Sequence, residues 1–143
     1  MDCRKISGGC LCQSIRYEII FDNNAPWPPP SATCRKWTAT ETSSLLTQFI
    51  VIKPTQIVPA LSSFQTYTEY SSSPRRHRGF CSRCGSSLIW RSEDITDTLD
   101  LYLGTIDEKW LVGERVEGSE RNTSYGIQFE RIGGVGEELC TPS

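Results

Sequence analysis

Two short cysteine pairs constrain this chain more than any other feature. Cys10-Leu11-Cys12 lies near the start, and Cys81-Ser82-Arg83-Cys84 lies in the middle and is followed at once by Gly85. Each pair falls where a strand is expected to end, so the two pairs resemble hairpin-like knuckles that present four thiolates. Four thiolates suit one tetrahedral zinc ion, and the long loop between the pairs adds little entropic cost. The pattern predicts one structural zinc on Cys10, Cys12, Cys81 and Cys84.

A structural or redox disulfide is the alternative interpretation of these cysteines. The segment from Phe80 to Gly85 is typical of a zinc knuckle, however, and no thioredoxin-like strand and helix pattern surrounds it. The chain has seven cysteines, an odd number, and no charged-then-apolar leader at its start. These features predict reduced cysteines and a cytoplasmic location. No apolar run approaches the ~20 residues that span a bilayer, so we expect no membrane partner.

The length of 143 residues is that of one domain. We expect residues 1–132 to form a zinc domain and residues 133–143, which begin with a glycine-rich run, to form a flexible tail. The net charge of −2 gives no general attraction to nucleic acid or to an anionic membrane.

Alternation of apolar and polar residues predicts a mainly β domain. Ile15, Tyr17, Ile19 and Phe21 should line one face of a strand. Residues 49–52 form an apolar run that predicts a strand buried on both faces and ended by Pro54. Further strands are expected over 64–70, 87–90, 99–103 and 125–129.

Two segments interrupt this pattern. Four prolines surround Trp27 between residues 23 and 30, which predicts an extended surface loop with Trp27 as a candidate pocket wall. Residues 34–46 can include a short helix, although their threonines are poor helix formers.

The chain resembles the glutathione-dependent formaldehyde-activating enzyme family, which includes centromere protein V. The resemblance rests on Gly8–Cys12 with the strand after it, on Cys34-Arg35-Lys36, on the segment from Tyr70 to Leu88, and on Gly104–Asp107, which is similar to the family's Gly-Ser-Leu-Asp. It implies a small Mss4-like β-sheet fold, or β-tent, pinned by a structural zinc on the four cysteines of the two pairs. It also implies carbon-sulfur lyase chemistry on a glutathione conjugate.

One motif of the family is incomplete here. Members active on glutathione adducts bind a catalytic zinc through Cys-x-Cys-x-x-Cys followed by Arg-Lys, and aligning on Cys34 puts Pro29 and Ser31 at the first two positions. One thiolate cannot supply the three protein ligands of a catalytic zinc site. Replacement ligands would have to come from His77, Glu69, Cys3 or Cys140, which no spacing recommends.

The remaining groups define the candidate catalytic site. Cys34 beside Arg35 and Lys36 is in a positive setting that favours the thiolate, although a small buried cysteine is the plain alternative. His77, the only histidine, is the candidate proton shuttle, and Arg35 completes the catalytic set. Trp27, Ser31 and Lys36 are the candidate substrate-binding residues.

The run Arg75-Arg76-His77-Arg78 allows a different function. Guanidinium groups suit planar anions, so this cluster can bind an anionic small molecule or nucleic acid. The acidic balance of the chain argues against nucleic acid, and a solvated strand edge is the default expectation.

The sequence therefore predicts a zinc-containing, carbon-sulfur lyase-like enzyme for a small carbonyl compound or glutathione adduct, with glutathione as candidate co-substrate. A tailoring isomerase, dehydratase or cyclase on another small organic substrate is the alternative, and a non-enzymatic binding module is the third. A small-molecule partner is expected, and the choice between monomer and homodimer stays open.

Overall fold

A computed structural model describes residues 4–22, 28, 31–34, 46–112, 114–115 and 122–123. Its strands in chain order are β1 (Arg4–Gly9), β2 (Arg16–Phe21), β3 (Ser31–Cys34), β4 (Leu46–Ile52), β5 (Ile57–Val58), β6 (Tyr67–Ser73), β7 (Arg76–Cys81), β8 (Ser87–Ser92), β9 (Ile95–Tyr102), β10 (Glu114–Arg115) and β11 (Asn122–Thr123). One α-helix, α1 (Glu108–Val112), and three short 3₁₀ turns, Pro54–Gln56, Leu61–Ser63 and Leu103–Thr105, accompany them.

The strands form antiparallel sheets. A three-stranded sheet has the order β1-β2-β5, a six-stranded sheet has the order β3-β4-β9-β8-β7-β6, and β10 pairs with β11. The three-stranded sheet contacts the segment that follows β9, where Gly8 of β1 bridges Ile106 and the Asp107 amide donates to the Ser7 carbonyl at 2.9 Å. This junction fixes the end of β1 against the segment that follows β9. The predicted mainly β architecture is confirmed.

The hydrophobic core takes side chains from both larger sheets. Ile15, Tyr17, Ile19 and Phe21 are buried and Arg16 and Glu18 are exposed, so the predicted alternation along β2 is confirmed. From the six-stranded sheet, Ile50, Ile52, Leu88, Ile89, Leu99 and Leu101 join the same cluster. The expected strands over 87–90 and 99–103 are present as β8 and β9, with Leu103 in the 3₁₀ turn after β9.

The prediction that the strand at 49–52 is buried on both faces is wrong. Ile50 and Ile52 are buried, but Val51 between them is 43% exposed. The β-branched run therefore reflects one buried face of a longer strand, Leu46–Ile52.

Other expected elements differ in their bounds or cannot be compared. The strand expected from Phe64 begins at Tyr67, because a 3₁₀ turn at Leu61–Ser63 precedes it. In the segment 34–46, Cys34 ends a strand and Leu46 begins the next. The loop at 23–30 apart from Pro28, the interior of the expected helix at 35–45, the strand at 125–129 and the tail at 133–143 lie outside the described residues. Within the described ranges, no helix is both long and apolar enough to cross a membrane.

One half-buried carboxyl group gives the fold a pH dependence. Asp100 lies on β9 between Val51 of β4 and Trp90 of β8, and burial raises its pKa to about 6. The folded state therefore binds a proton more tightly than the unfolded chain, and stability falls as pH rises from about 4 to about 6.

Asp100→Asn is expected to raise the free energy of unfolding by about 1 to 2 kcal/mol at pH 7.5, after allowance for partial exposure. At pH 4 the substitution should change this free energy little. Urea unfolding at the two pH values measures this. A gain of equal size at both values would mean that the charge is not its cause.

Candidate functional site

The first knuckle is the turn between β1 and β2. The Cys10 amide donates to the Ile15 carbonyl at 3.1 Å, and the Gln13 amide donates to the Cys10 carbonyl at 3.1 Å. Gln13 has a φ of 64°, in the left-handed region, which reverses the chain directly after Cys12. This tight turn points both thiols of the pair to one side.

The second knuckle joins β7 to β8 and is built in the same way. The Cys81 amide donates to the Ser86 carbonyl at 3.0 Å, and the Gly85 amide donates to the Cys81 carbonyl at 2.7 Å. Gly85 has a φ of 77°, a conformation that glycine adopts at little cost. The residue after the second cysteine is thus the left-handed one in both knuckles.

The two knuckles bring four thiols together. The Sγ atoms of Cys10, Cys12, Cys81 and Cys84 all lie within 4.8 Å of one another. Cys10 Sγ is 3.5 Å from Cys12 Sγ, which is 3.8 Å from Cys81 Sγ. Sulfurs placed about 2.3 Å from a tetrahedral zinc are about 3.8 Å apart, so the cluster fits this ion. All four thiols are free, and these separations are too long for the alternative disulfides.

Hydrogen bonds favour the ionised form of two of the thiols. Burial raises the pKa of Cys81, but bonds from the Ser14 hydroxyl and nearby groups outweigh it and lower the pKa to about 5. The Ser86 hydroxyl is the main cause that lowers the pKa of Cys84 to about 7. The pKa of Cys12 shifts in the opposite direction. Hydrogen bonds from Ser14 act to lower it, but burial and the neighbouring thiols outweigh them, so the pKa of Cys12 is raised. A divalent cation would complete the ionisation of such a set.

A cavity of about 760 Å³ adjoins the four-cysteine cluster. Its walls come from the first knuckle, the start of β4, the second knuckle and the segment 102–108. Leu11, at 85% exposure, stands at the rim, with its amide donating to the Ser86 hydroxyl at 3.0 Å. A side chain added at Gly104 would meet open space. The cavity is large enough for a small-molecule ligand.

An ion pair holds one wall of this cavity. Arg16 makes a two-pronged contact with Asp107, at 2.8 and 2.6 Å, and lowers the pKa of that carboxyl below its usual range. The Ser7 hydroxyl donates to Asp107 at 2.5 Å and accepts from the Trp110 indole at 3.0 Å. These bonds fix the segment 104–108 against both β1 and β2. Arg16 was not among the candidate site residues predicted from sequence. A charged residue that alternates with apolar ones along a strand has no sequence pattern that distinguishes a functional residue from an ordinary exposed one.

The structure places only part of the remaining predicted site. Ser31 and Cys34 begin and end β3, where Thr33 pairs with Thr47 and Cys34 with Leu46. Since Thr47 lines the cavity, the backbone of β3 runs directly beside its wall. The side chains of Ser31 and Cys34 lie outside the described part of the structure. So do Trp27, Arg35 and Lys36 in full.

The predicted proton shuttle does not line the cavity. His77 lies four residues before Cys81 on β7, and its Nε2 is 2.7 Å from Glu93 Oε1. Glu69, a suggested replacement ligand, is bound instead by Arg91 at 2.6 Å. Within the residues whose side chains are described, the four-cysteine cluster is the one metal-ligating group found.

The expectation of a solvated basic strand edge is wrong for Arg78. This side chain is 9% exposed and donates to the Tyr102 hydroxyl at 3.0 Å, because β7 lies inside the six-stranded sheet rather than at its edge. Arg75 is exposed and Arg76 half-buried, and they pair with Asp94 at 2.8 and 2.7 Å. The cluster is thus largely neutralised by acidic residues from the next turn.

Comparison with known proteins agrees with this architecture. The model of the family described as glutathione-dependent formaldehyde-activating enzyme matches residues 5–120. No curated protein matches the chain. A structural-genomics crystal structure of a Rhodobacter sphaeroides protein is similar, with a TM-score of 0.51 and 13% identity over 72% of this chain and 89% of that one. At this identity the likeness shows the fold alone.

Proposed function

The chain belongs to the glutathione-dependent formaldehyde-activating enzyme family, and we propose that it is an enzyme that makes or breaks a bond at a small carbonyl compound or thiol adduct. One observation carries this proposal: the cavity of about 760 Å³ opens between the two knuckles and the segment that resembles the family's Gly-Ser-Leu-Asp, Gly104–Asp107. A concave site with a few fixed polar groups is where a small substrate is expected to bind.

The proposed metal is a structural zinc. Cys10, Cys12, Cys81 and Cys84 would supply all four ligands and leave no open position for substrate, which is typical of structural rather than catalytic sites. The ion would join the knuckle of the three-stranded sheet to that of the six-stranded sheet and so fix two walls of the cavity. Its contribution is to the shape of the site.

Cys34 is the proposed nucleophile. Its backbone is next to that of Thr33, whose partner Thr47 lines the cavity, and two basic residues follow it in sequence, which favours the thiolate. In the proposed step the thiolate sulfur adds to the carbonyl carbon, the C=O π bond breaks toward oxygen, and that oxygen takes a proton from a water molecule, which leaves as hydroxide. The product is a hemithioacetal. Arg35, Lys36, Ser31 and Trp27 remain candidates for binding the substrate.

A non-glutathione substrate is a second candidate, and the charge of the cavity favours it. Among the lining residues that the structure describes, Arg16 is the one cation, and it is already held by Asp107 through two bonds. The described walls thus offer no free cation for the two carboxylates of glutathione. A tailoring isomerase, dehydratase or cyclase acting on a less charged molecule fits this lining. For either candidate substrate, we propose that the protein acts in the cytoplasm on a small molecule. The arginines that are paired with acidic residues do not support a role in binding nucleic acid.

The reactivity of Cys34 tests the proposed nucleophile. We expect iodoacetamide to alkylate Cys34 roughly tenfold faster than Cys3 or Cys140, since a thiolate beside two cations reacts faster than an ordinary thiol. Peptide mass spectrometry of the wild type after timed exposure measures all three rates. Equal rates would identify Cys34 as a spectator.

Glutathione and formaldehyde provide the matched activity assay. Because Pro29 and Ser31 replace two thiolates of the family's catalytic motif, we expect S-hydroxymethylglutathione to form at close to the uncatalysed rate in exchange NMR. Turnover that disappears on chelation, in protein holding a second zinc, would restore the family's metal-dependent mechanism and overturn this proposal.

A further inference from the structure

We propose that Ser14 is a positioning residue of the metal centre, whose hydroxyl donates a hydrogen bond to the Cys12 thiolate and is itself held by Thr66. The inference rests on the proposed zinc site, and it assigns a role to a residue that is not a ligand. Ser14 lies in the first knuckle, two residues after Cys12.

The hydroxyl of Ser14 caps one triangular face of the sulfur cluster. Its Oγ is 3.0 Å from Cys12 Sγ, 3.4 Å from Cys81 Sγ and 3.6 Å from Cys10 Sγ. It therefore touches sulfurs of both knuckles, and thus of both larger sheets. Of the three sulfurs, Cys12 Sγ is the nearest and is therefore the proposed acceptor of the hydroxyl's single proton.

A second hydroxyl lies within hydrogen-bond distance of Ser14. Ser14 Oγ is 2.9 Å from Thr66 Oγ1, and a hydroxyl has one proton to donate. A thiolate only accepts, so at least one of the two hydroxyls donates to sulfur. With Ser14 Oγ 3.0 Å from Cys12 Sγ, the proposed arrangement is that Ser14 donates to Cys12 and accepts from Thr66. Thr66 is held in turn to the second knuckle, since its carbonyl accepts from the Ser82 amide at 2.8 Å. The resulting chain of bonds runs from the second knuckle through Thr66 to the first.

Charge explains why such a donor matters. Four thiolates around a divalent cation carry a net charge of −2, and Cys10 and Cys81 are buried. Buried negative charge is costly unless hydrogen-bond donors meet it, and such donors also hold ligands in their binding orientation. Cys10 receives the Ile15 amide at 3.3 Å and Cys84 lies 3.1 Å from the Ser86 hydroxyl. For Cys12, the Ser14 hydroxyl at 3.0 Å is the corresponding side-chain donor.

Metal binding by Ser14→Ala tests this inference. Loss of an outer-shell hydrogen bond typically costs 10- to 100-fold in metal affinity, and we expect a zinc affinity about tenfold to 100-fold lower in chelator competition. In the cobalt-substituted protein the sulfur-to-metal charge-transfer band should move to longer wavelength, because a thiolate without its donor is easier to oxidise. Ser14→Thr, which keeps the hydroxyl, should restore both values.

Ser82→Ala is the matched control, since Ser82 is exposed within the second knuckle and its change should leave affinity and spectrum at the wild-type values. Thr66→Val provides a second variant that should shift both readouts in the same direction by less, and it decides the question should Ser14→Ala fail to fold. Wild-type affinity and spectrum in both variants would overturn the inference and leave the zinc site intact. Absence of metal binding by the wild type would overturn the zinc site itself, and this inference with it.

Discussion

Cys81→Ser is expected to abolish the cooperative folding of this protein. Cys81 is fully buried at the end of β7, and its sulfur contacts Cys12 Sγ and Ser14 Oγ of the first knuckle. A serine hydroxyl is neutral at pH 7 and replaces a thiolate poorly as a zinc ligand. Structural zinc contributes about 10 to 16 kcal/mol in small zinc domains, which is as large as the whole stability of a typical domain, about 5 to 15 kcal/mol. We expect no thermal transition by circular dichroism and little soluble protein.

Cys34→Ser is the matched control for this experiment, because it makes the same atomic change at a thiol outside the cluster. Its melting temperature should stay close to that of the wild type. A soluble Cys81→Ser variant that melts at the wild-type temperature would mean that the four cysteines do not hold the two sheets together.

Gly104→Phe is expected to close the cavity without unfolding the protein. Gly104 is exposed within the 3₁₀ turn Leu103–Thr105, and a side chain there would enter open space rather than meet a neighbour. If the Cys34 thiol opens into this cavity, the ring should slow its alkylation by roughly tenfold or more, because a reactive thiol needs access. Timed alkylation and a thermal melt measure the two effects.

Gly104→Ala separates size from the loss of glycine, since a single methyl group leaves most of the cavity open. Its alkylation rate should be near that of the wild type. An unchanged rate in Gly104→Phe, with a normal melt, would place the Cys34 thiol outside this cavity and remove Cys34 from the proposed site.

The parts of the fold that sequence predicts well are those that local pattern encodes. The alternation along β2 puts Tyr17, Ile19 and Phe21 in the core because successive side chains of a strand point to opposite faces. The knuckles follow from cysteine spacing and from Gly85, whose left-handed conformation suits the turn. Each of these depends on residues within a few positions of one another.

The parts that sequence misses depend on contacts between distant segments. Arg78 looks solvated beside two other arginines and a histidine, yet its burial is decided by the order of strands in the sheet. His77 finds its partner Glu93 sixteen residues away, across a strand pair. The hydroxyl contact between Ser14 and Thr66 spans 52 positions and has no pattern that points to it. The cavity wall formed by Arg16 and Asp107 is likewise a product of the assembled fold.

The zinc content of the purified wild-type protein tests the central claim most directly. Elemental analysis, with protein concentration from amino-acid analysis, should give about one zinc per chain, because the described residues supply one complete set of four thiolates. Chelation strong enough to remove that zinc should unfold the protein, and added zinc should restore the fold. Protein that is folded with no bound metal, or that holds two zinc ions per chain, would contradict the account.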